Sequence, residues 1–309
     1  MYGNHVSLVP HAMSFATKSL RFKSGKTEVK IHAINTGTLQ VHAPHMEYNG
    51  AQSLAFPKLL LSRGWADPSP IYTWVIEHPE GIMVIDTGEN ERYNSRGYLD
   101  CGKMTGRLTK RLVKVDIEHE QEIGPQMQAL GLDPKDVRWV VLTHLHIDHI
   151  DGLYYFPKSE VIVHKKEWDN PFGGMKCLFP QWCTPRLVTF DSHNHPVFDH
   201  FLPITEDESI FLVPTPGHTE GHMSVMLHLG DQHIMFAGDT SFTQDQLLAD
   251  GVGAIHQDFQ TARETMHKIR SYAAQHEMVY LPTHDPLSLD RLLNLSPLRI
   301  EDQIPAMID

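Results

Sequence analysis

A chain of 309 residues that is 41% hydrophobic and 21% charged has ample material for one large core or two smaller ones. Its net charge of −12, from 38 acidic against 26 basic residues, argues against the basic surface that nucleic acids need. Three scattered cysteines, Cys101, Cys177 and Cys183, exclude a disulfide framework or a cysteine zinc finger; Cys177 and Cys183 are near enough to pair, but all three read better as thiols of a reducing cytoplasm.

Residues 1–28 read as an irregular N-terminal arm without the apolar stretch of a secretion signal, and no run reaches the roughly eighteen apolar residues of a membrane span. The expectation is therefore a cytoplasmic protein with no membrane partner. "VKIHAINTGTL" (29–39) alternates like a strand. Residues 42–70 hold four prolines and read as a long loop near the active site, in which Met46, Leu54, Phe56, Leu59, Leu60 and Trp65 are candidates for the wall of an apolar pocket. "IYTWVIEH" and "IMVIDTG", separated by Pro79-Glu80-Gly81, predict a hairpin. A polar segment from Asn90 to Thr109 precedes a helix predicted over 116–131, ending at Gly131. "VRWVVLT" then reads as a strand buried on both faces. Further strands are predicted at "EVIVH", "RLVTF", "SIFLVP", "MSVMLHL", "HIMFAG" and "MVYLP", with an amphipathic helix over "DFQTARETMHKIRSYAAQ". No repeat or flexible linker divides these elements, so one α/β domain over 1–309 is the expectation.

The chemistry gathers at strand ends. "LTHLHIDHIDG" (142–152) holds three histidines and two aspartates directly behind an apolar strand. An H-x-H-x-D-H match is expected by chance roughly 0.007 times in a chain of this composition, so coincidence explains it poorly. "PTPGHTEGH" places His218 in a turn between strands, "FAGDT" places Asp239 after a strand, and "YLPTHDP" places His284 after the last one. Taken singly, each fits a turn residue or a structural histidine. Taken together they form a nitrogen and carboxylate set that suits zinc first, and also iron, manganese or cobalt.

With Asp86 in "VIDTG" added, these five motifs resemble the metallo-β-lactamase superfamily, in order, from about Val29 to His284. The resemblance implies an αββα sandwich with two metal ions at one edge. It implies that His144, His146 and His218 hold the first metal, that Asp148, His149 and His284 hold the second, and that Asp239 bridges them. Asp86 is then a residue that hydrogen-bonds a ligand histidine, fixing its orientation, or stabilises the loop. The implied reaction is attack by a hydroxide shared between the metals, with Asp148 moving the proton and Asp239 holding the pair together.

Within that superfamily the hairpin, "TPGHTEGHMSV", "GDTSF" and "YLPTHDP" are similar to the N-acyl homoserine lactone lactonases. That branch implies opening of the lactone ring of a bacterial quorum signal, and by analogy a homodimer. One position departs from the pattern. Three residues after Asp239 the branch commonly carries a tyrosine that contacts substrate, whereas this chain has Phe242. The alternative is hydrolysis of another ester, lactone or thioester of the glyoxalase II type. That type normally adds a basic helical region, and 25 residues follow His284 here.

Overall fold

The computed structural model describes residues 17–24 and 27–300. The chain first builds a mixed sheet. Strand β1 (Lys18–Ser24) pairs antiparallel with β2 (Thr27–Val41), which pairs with β3 (Ser69–His78), and β3 turns at Pro79-Glu80 into β4 (Gly81–Ile85). From β4 the pairing becomes parallel, through β6 (Val137–Val141) and β7 (Glu160–His164) to β8 (Arg186–Val188), while β5 (Val113–Asp116) adds to the far part of β2. The second sheet runs in the order β14 (Met278–Pro282), β13 (Gln232–Gly238), β12 (Met223–Leu229), β11 (Ile210–Pro214), β10 (Asp199–Pro203), β9 (His193–His195).

Period-2 alternation sends successive side chains of each strand to opposite faces. Tyr72, Trp74 and Ile76 of β3 join Val225, Leu227, Ile234 and Phe236 of the second sheet in the core between the sheets. Their neighbours turn outward. Val75, Val84 and Val140 meet Ile123 and Met127 of helix α4 (Ile123–Ala129) and Ile150 of α5 (Ile147–Ile150). Met226, Met235 and Tyr280 meet Phe259, Ala262, Met266 and Ile269 of α8 (Phe259–Ala273). The layers are helix, sheet, sheet, helix, as expected. No helix among the described residues is long and apolar enough to cross a membrane.

Several expectations need correcting. The arm 1–28 lies largely outside the described residues, but Lys18–Ser24 is a strand. Residues 42–70 carry two helices, α1 (Ala43–Met46) and α2 (Gln52–Leu61), and α3 (Met104–Leu112) begins inside the polar segment. The helix predicted over 116–131 is only α4 preceded by a short 3-10 turn at His119–Gln121, because Pro125 permits a helix start just before it but not a longer run through it. The thiol reading also fails. Cys101 and Cys177 form a disulfide with Cα atoms 5.9 Å apart, and Cys183 alone is free. Their partnership depends on two short 3-10 turns, Tyr98–Gly102 and Lys176–Leu178, that are 76 residues apart in the chain and pack together only in the fold.

Candidate metal centre

All seven predicted ligand residues meet where the strands of both sheets end. His144 follows β6, and the chain then turns so that His146 caps α5 while Asp148 and His149 occupy its single turn. His218 stands in the loop between β11 and β12, Asp239 directly after β13, and His284 two residues after β14. Gly238 makes the exit from β13 feasible. Its φ is +57°, and a Cβ there would lie 2.7 Å from His222 Nε2 and 2.9 Å from Thr143 Cβ.

The side chains form two groups. His144 Nε2 and His218 Nε2 lie 2.9 and 3.0 Å from His146 Nδ1. His284 Nε2 lies 3.2 Å and His149 Nε2 3.6 Å from Asp148 Oδ2. Asp239 stands between the groups with one oxygen towards each. Its Oδ2 is 3.6 Å from His218 Nε2 and 4.0 Å from His144 Nε2, and its Oδ1 is 3.3 Å from His284 Nε2 and 3.5 Å from His149 Nε2. Within each group the ligand atoms lie within 4.8 Å of one another.

The rings are aimed by their second nitrogens. His146 Nε2 donates to the Phe172 carbonyl at 3.0 Å and His284 Nδ1 to the Pro70 carbonyl at 2.9 Å, so each presents a lone pair to the cluster. His149 Nδ1 meets Asp86 Oδ2 at 2.8 Å, and Asp86 accepts from the Thr143 amide and hydroxyl as well. Asp86 thus links the His149 ring to Thr143. It does so at φ +56°, an uncommon conformation for a residue with a side chain.

Electrostatics shows what the site favours. Burial, reinforced by neighbouring histidines, holds His144 and His218 well below the usual imidazole range. For His149 and His284 burial pulls the same way but is outweighed. Asp86, Asp148 and Asp239 raise His149 well above its ordinary value, and Asp239 with Asp148 raises His284 to about 10. Burial likewise opposes ionisation of Asp148 and Asp239. The His149 and His284 charges overcome it, lowering Asp148 to about 2 and Asp239 well below the carboxylate range. The carboxylates and the histidines they face therefore stabilise charge on one another, and a site of that polarity favours a bound cation. His149 Nε2 and Asp239 Oδ1 have no hydrogen-bond partner among the described residues despite full burial. A nitrogen and carboxylate set spaced on the order of 3 Å fits divalent cations held about 2.0–2.2 Å from each donor.

A cavity of about 470 Å³ opens onto the cluster. It is lined by His146, Asp148, His218, Asp239 and His284 of the cluster and by apolar residues that include Leu39, Val41, Leu108, Leu112 and Val115. Phe242 is 4% exposed and lines the cavity, its ring centroid 5.8 Å from that of His284 and 6.0 Å from that of His218. Of the six apolar residues expected from 42–70, Phe56 alone lines this cavity. Leu59 is in the core, Leu54 is exposed, and Trp65 stacks on His42 at 4.1 Å. His45, Gln52 and Ala55 of 42–70 line it too, and the rest of the apolar wall comes from β2, α3 and β5.

Residues 66–284 match the model of the metallo-beta-lactamase superfamily. The chain belongs to that superfamily. Its relatives include the N-acyl homoserine lactonase AttM of Rhizobium radiobacter, 24% identical over 273 residues, which cover 84% of this chain and 94% of that protein. A probable metallo-hydrolase of Mycobacterium tuberculosis is 26% identical over 229 residues, 71% of this chain and 64% of its own length. Among solved structures, an N-acyl homoserine lactone hydrolase with the product N-hexanoyl-L-homoserine bound at its catalytic metal center superposes with a TM-score of 0.65 at 18% identity, covering 82% of this chain and 92% of that one. AidC, a dizinc quorum-quenching lactonase in complex with a product, superposes at 0.59 and 17% identity, covering 88% and 92%. At such identities the structural likeness establishes the shared metallo-beta-lactamase fold.

Sequence reasoning missed four residues of this site. Glu167 of α6 (Lys165–Asp169) is 1% exposed and accepts from the Leu145 amide at 3.0 Å and the Thr219 hydroxyl at 2.6 Å. His222 Nε2 accepts from the Asp239 amide at 3.1 Å. His45 and His256 line the cavity beside Phe242. Only His222, inside the quoted "TPGHTEGH", carried any signal. By contrast His193, His195 and His200 lie in or beside the β9–β10 hairpin, and none belongs to a metal-capable group among the described residues.

Proposed function

We propose that this chain is a single-domain hydrolase with two divalent metal ions, zinc by donor chemistry, that opens the lactone ring of N-acyl homoserine lactones and so ends a bacterial quorum signal. The observation that carries the reading is the placement of Asp239, with one carboxylate oxygen towards each group of ligand atoms. In this reading His144, His146 and His218 hold one ion, Asp148, His149 and His284 hold the other, and Asp239 links them. The ions supply Lewis acidity and hydroxide near neutral pH. Asp86 keeps the His149 ring turned towards the cluster. Asp148, whose side chain is 14% exposed and faces the cavity, moves the proton from the attacking water to the departing ring oxygen. The apolar lining of the cavity suits an acyl chain, and the names of the relatives point to the same substrate class.

The test is a proton-release assay with purified protein on short- and long-chain N-acyl homoserine lactones, simple esters and S-lactoylglutathione. Ring opening yields a carboxylic acid that ionises, so about one proton per lactone consumed is expected at pH 7.5. A response confined to the thioester, or to plain esters, overturns the lactone assignment and leaves the hydrolase.

A further inference from the structure

His45 has no part in the ligand set, yet it lies beside it. The charges acting on it are those of His146, Asp148, Asp239 and His284, drawn from both metal-facing groups. Its ring lines the cavity 5.8 Å from Phe242, which has no polar atom to offer a substrate. Nδ1 is buried and has no hydrogen-bond partner among the described residues.

The turn that carries His45 is held firmly. Pro44 O accepts from the Ala254 amide at 2.8 Å, Val252 O accepts from the Tyr48 amide at 2.8 Å, and Gln246 Nε2 donates to Met46 O at 2.5 Å. The same Gln246 accepts from the Phe242 amide at 2.6 Å, coupling the two walls. Gly253 packs so closely that a Cβ there would lie 1.9 Å from His45 O. Burial drives the ring down to about 3, so at neutral pH it is an uncharged imidazole with one donor and one acceptor.

We infer that His45 is a catalytic residue that donates a hydrogen bond to the carbonyl oxygen under attack. Negative charge develops on that oxygen as water adds, and is lost from it when the carbonyl re-forms, the C–O bond to the leaving oxygen breaks and the leaving oxygen takes the proton. The inference rests on the hydrolase reading of the metal centre, but not on the substrate being a lactone. Rigid placement is what such a donor requires, since its benefit depends on being aimed before the reaction begins.

Three proteins decide it: wild type, His45→Ala and His45→Gln, each assayed for bound metal, thermal midpoint, kcat and KM on the best lactone. His45→Ala is expected to keep its metal and midpoint while kcat falls about 100-fold with KM little changed, and His45→Gln, which retains an N–H, to recover at least about tenfold of that loss. Binding of the unreactive γ-lactam analogue gives a readout apart from turnover, and the alanine variant is expected to hold it about as well as wild type. If wild type opens no lactone, hydrolysis of p-nitrophenyl butyrate carries the same comparison, so the substrate assignment fails separately. A kcat within about threefold of wild type, or a loss that follows metal content, overturns the role of His45.

Discussion

Glu167 ties together the two loops that carry three of the metal-facing histidines. One carboxylate oxygen holds the amide between His144 and His146, and the other holds the hydroxyl next to His218. Burial raises its pKa to about 6, against the partial opposition of those hydrogen bonds. Between pH 4.5 and 6 the folded protein therefore keeps a proton that the unfolded chain has released. Its contribution to stability is greatest below pH 4.5 and falls by about 2 kcal/mol as pH rises through 6, then stays level. Glu167→Gln should lack this component, so the stability difference between the two proteins in urea, in chelator, should change by that amount across the window; a constant difference would count against it. Asp86, Asp148 and Asp239 were legible as residues because each follows an apolar strand in a recognisable motif. Glu167 was not, since "KKEWD" reads as an ordinary polar helix and only the fold turns that glutamate inward.

At the scale of elements, strands were legible and connections were not. Apolar, strand-forming runs at β3, β12 and β13 predict the strands, but both faces of each are buried, so periodicity does not say which face meets the other sheet and which meets a helix. The region between β2 and β3 gave no such signal: α2 is ten residues long with Pro57 inside it, and its amphipathic pattern is weak. The disulfide belongs to this scale as well. It joins the turn before α3 to the turn that follows Phe172 and Gly173, and both α3 and Phe172-Gly173 border the cavity. Both cysteines are exposed, so reductant reaches them. Cys101→Ser, or reduction of the wild type, is expected to lower stability by about 2–4 kcal/mol, read as an earlier urea midpoint. An unchanged midpoint would show that the bond does not form in solution.

For the whole molecule, the metal centre is also a demand on stability. Asp86, Asp148, Asp239 and the histidines they face are brought together only by folding, so cations that bind there would stabilise the folded chain over the unfolded one. Chelation of the wild-type protein should lower the thermal midpoint by at least about 4 °C and abolish hydrolysis, with both restored by added zinc. Asp239→Ala should bind less metal and respond little to chelator; full metal content in that variant would contradict the bridge. The chain's own order of residues was enough to mark the strands, the α/β class and seven candidate side chains at strand ends, because apolar runs and strand-end motifs are local properties, while the αββα layering was what the family resemblance implied. It could not determine the pairing of Cys101 with Cys177, the inward turn of Glu167, the true cavity wall, or the placing of His45 beside Phe242. Those depend on contacts between segments tens to hundreds of residues apart, and such contacts exist only once the two sheets have closed on their shared core.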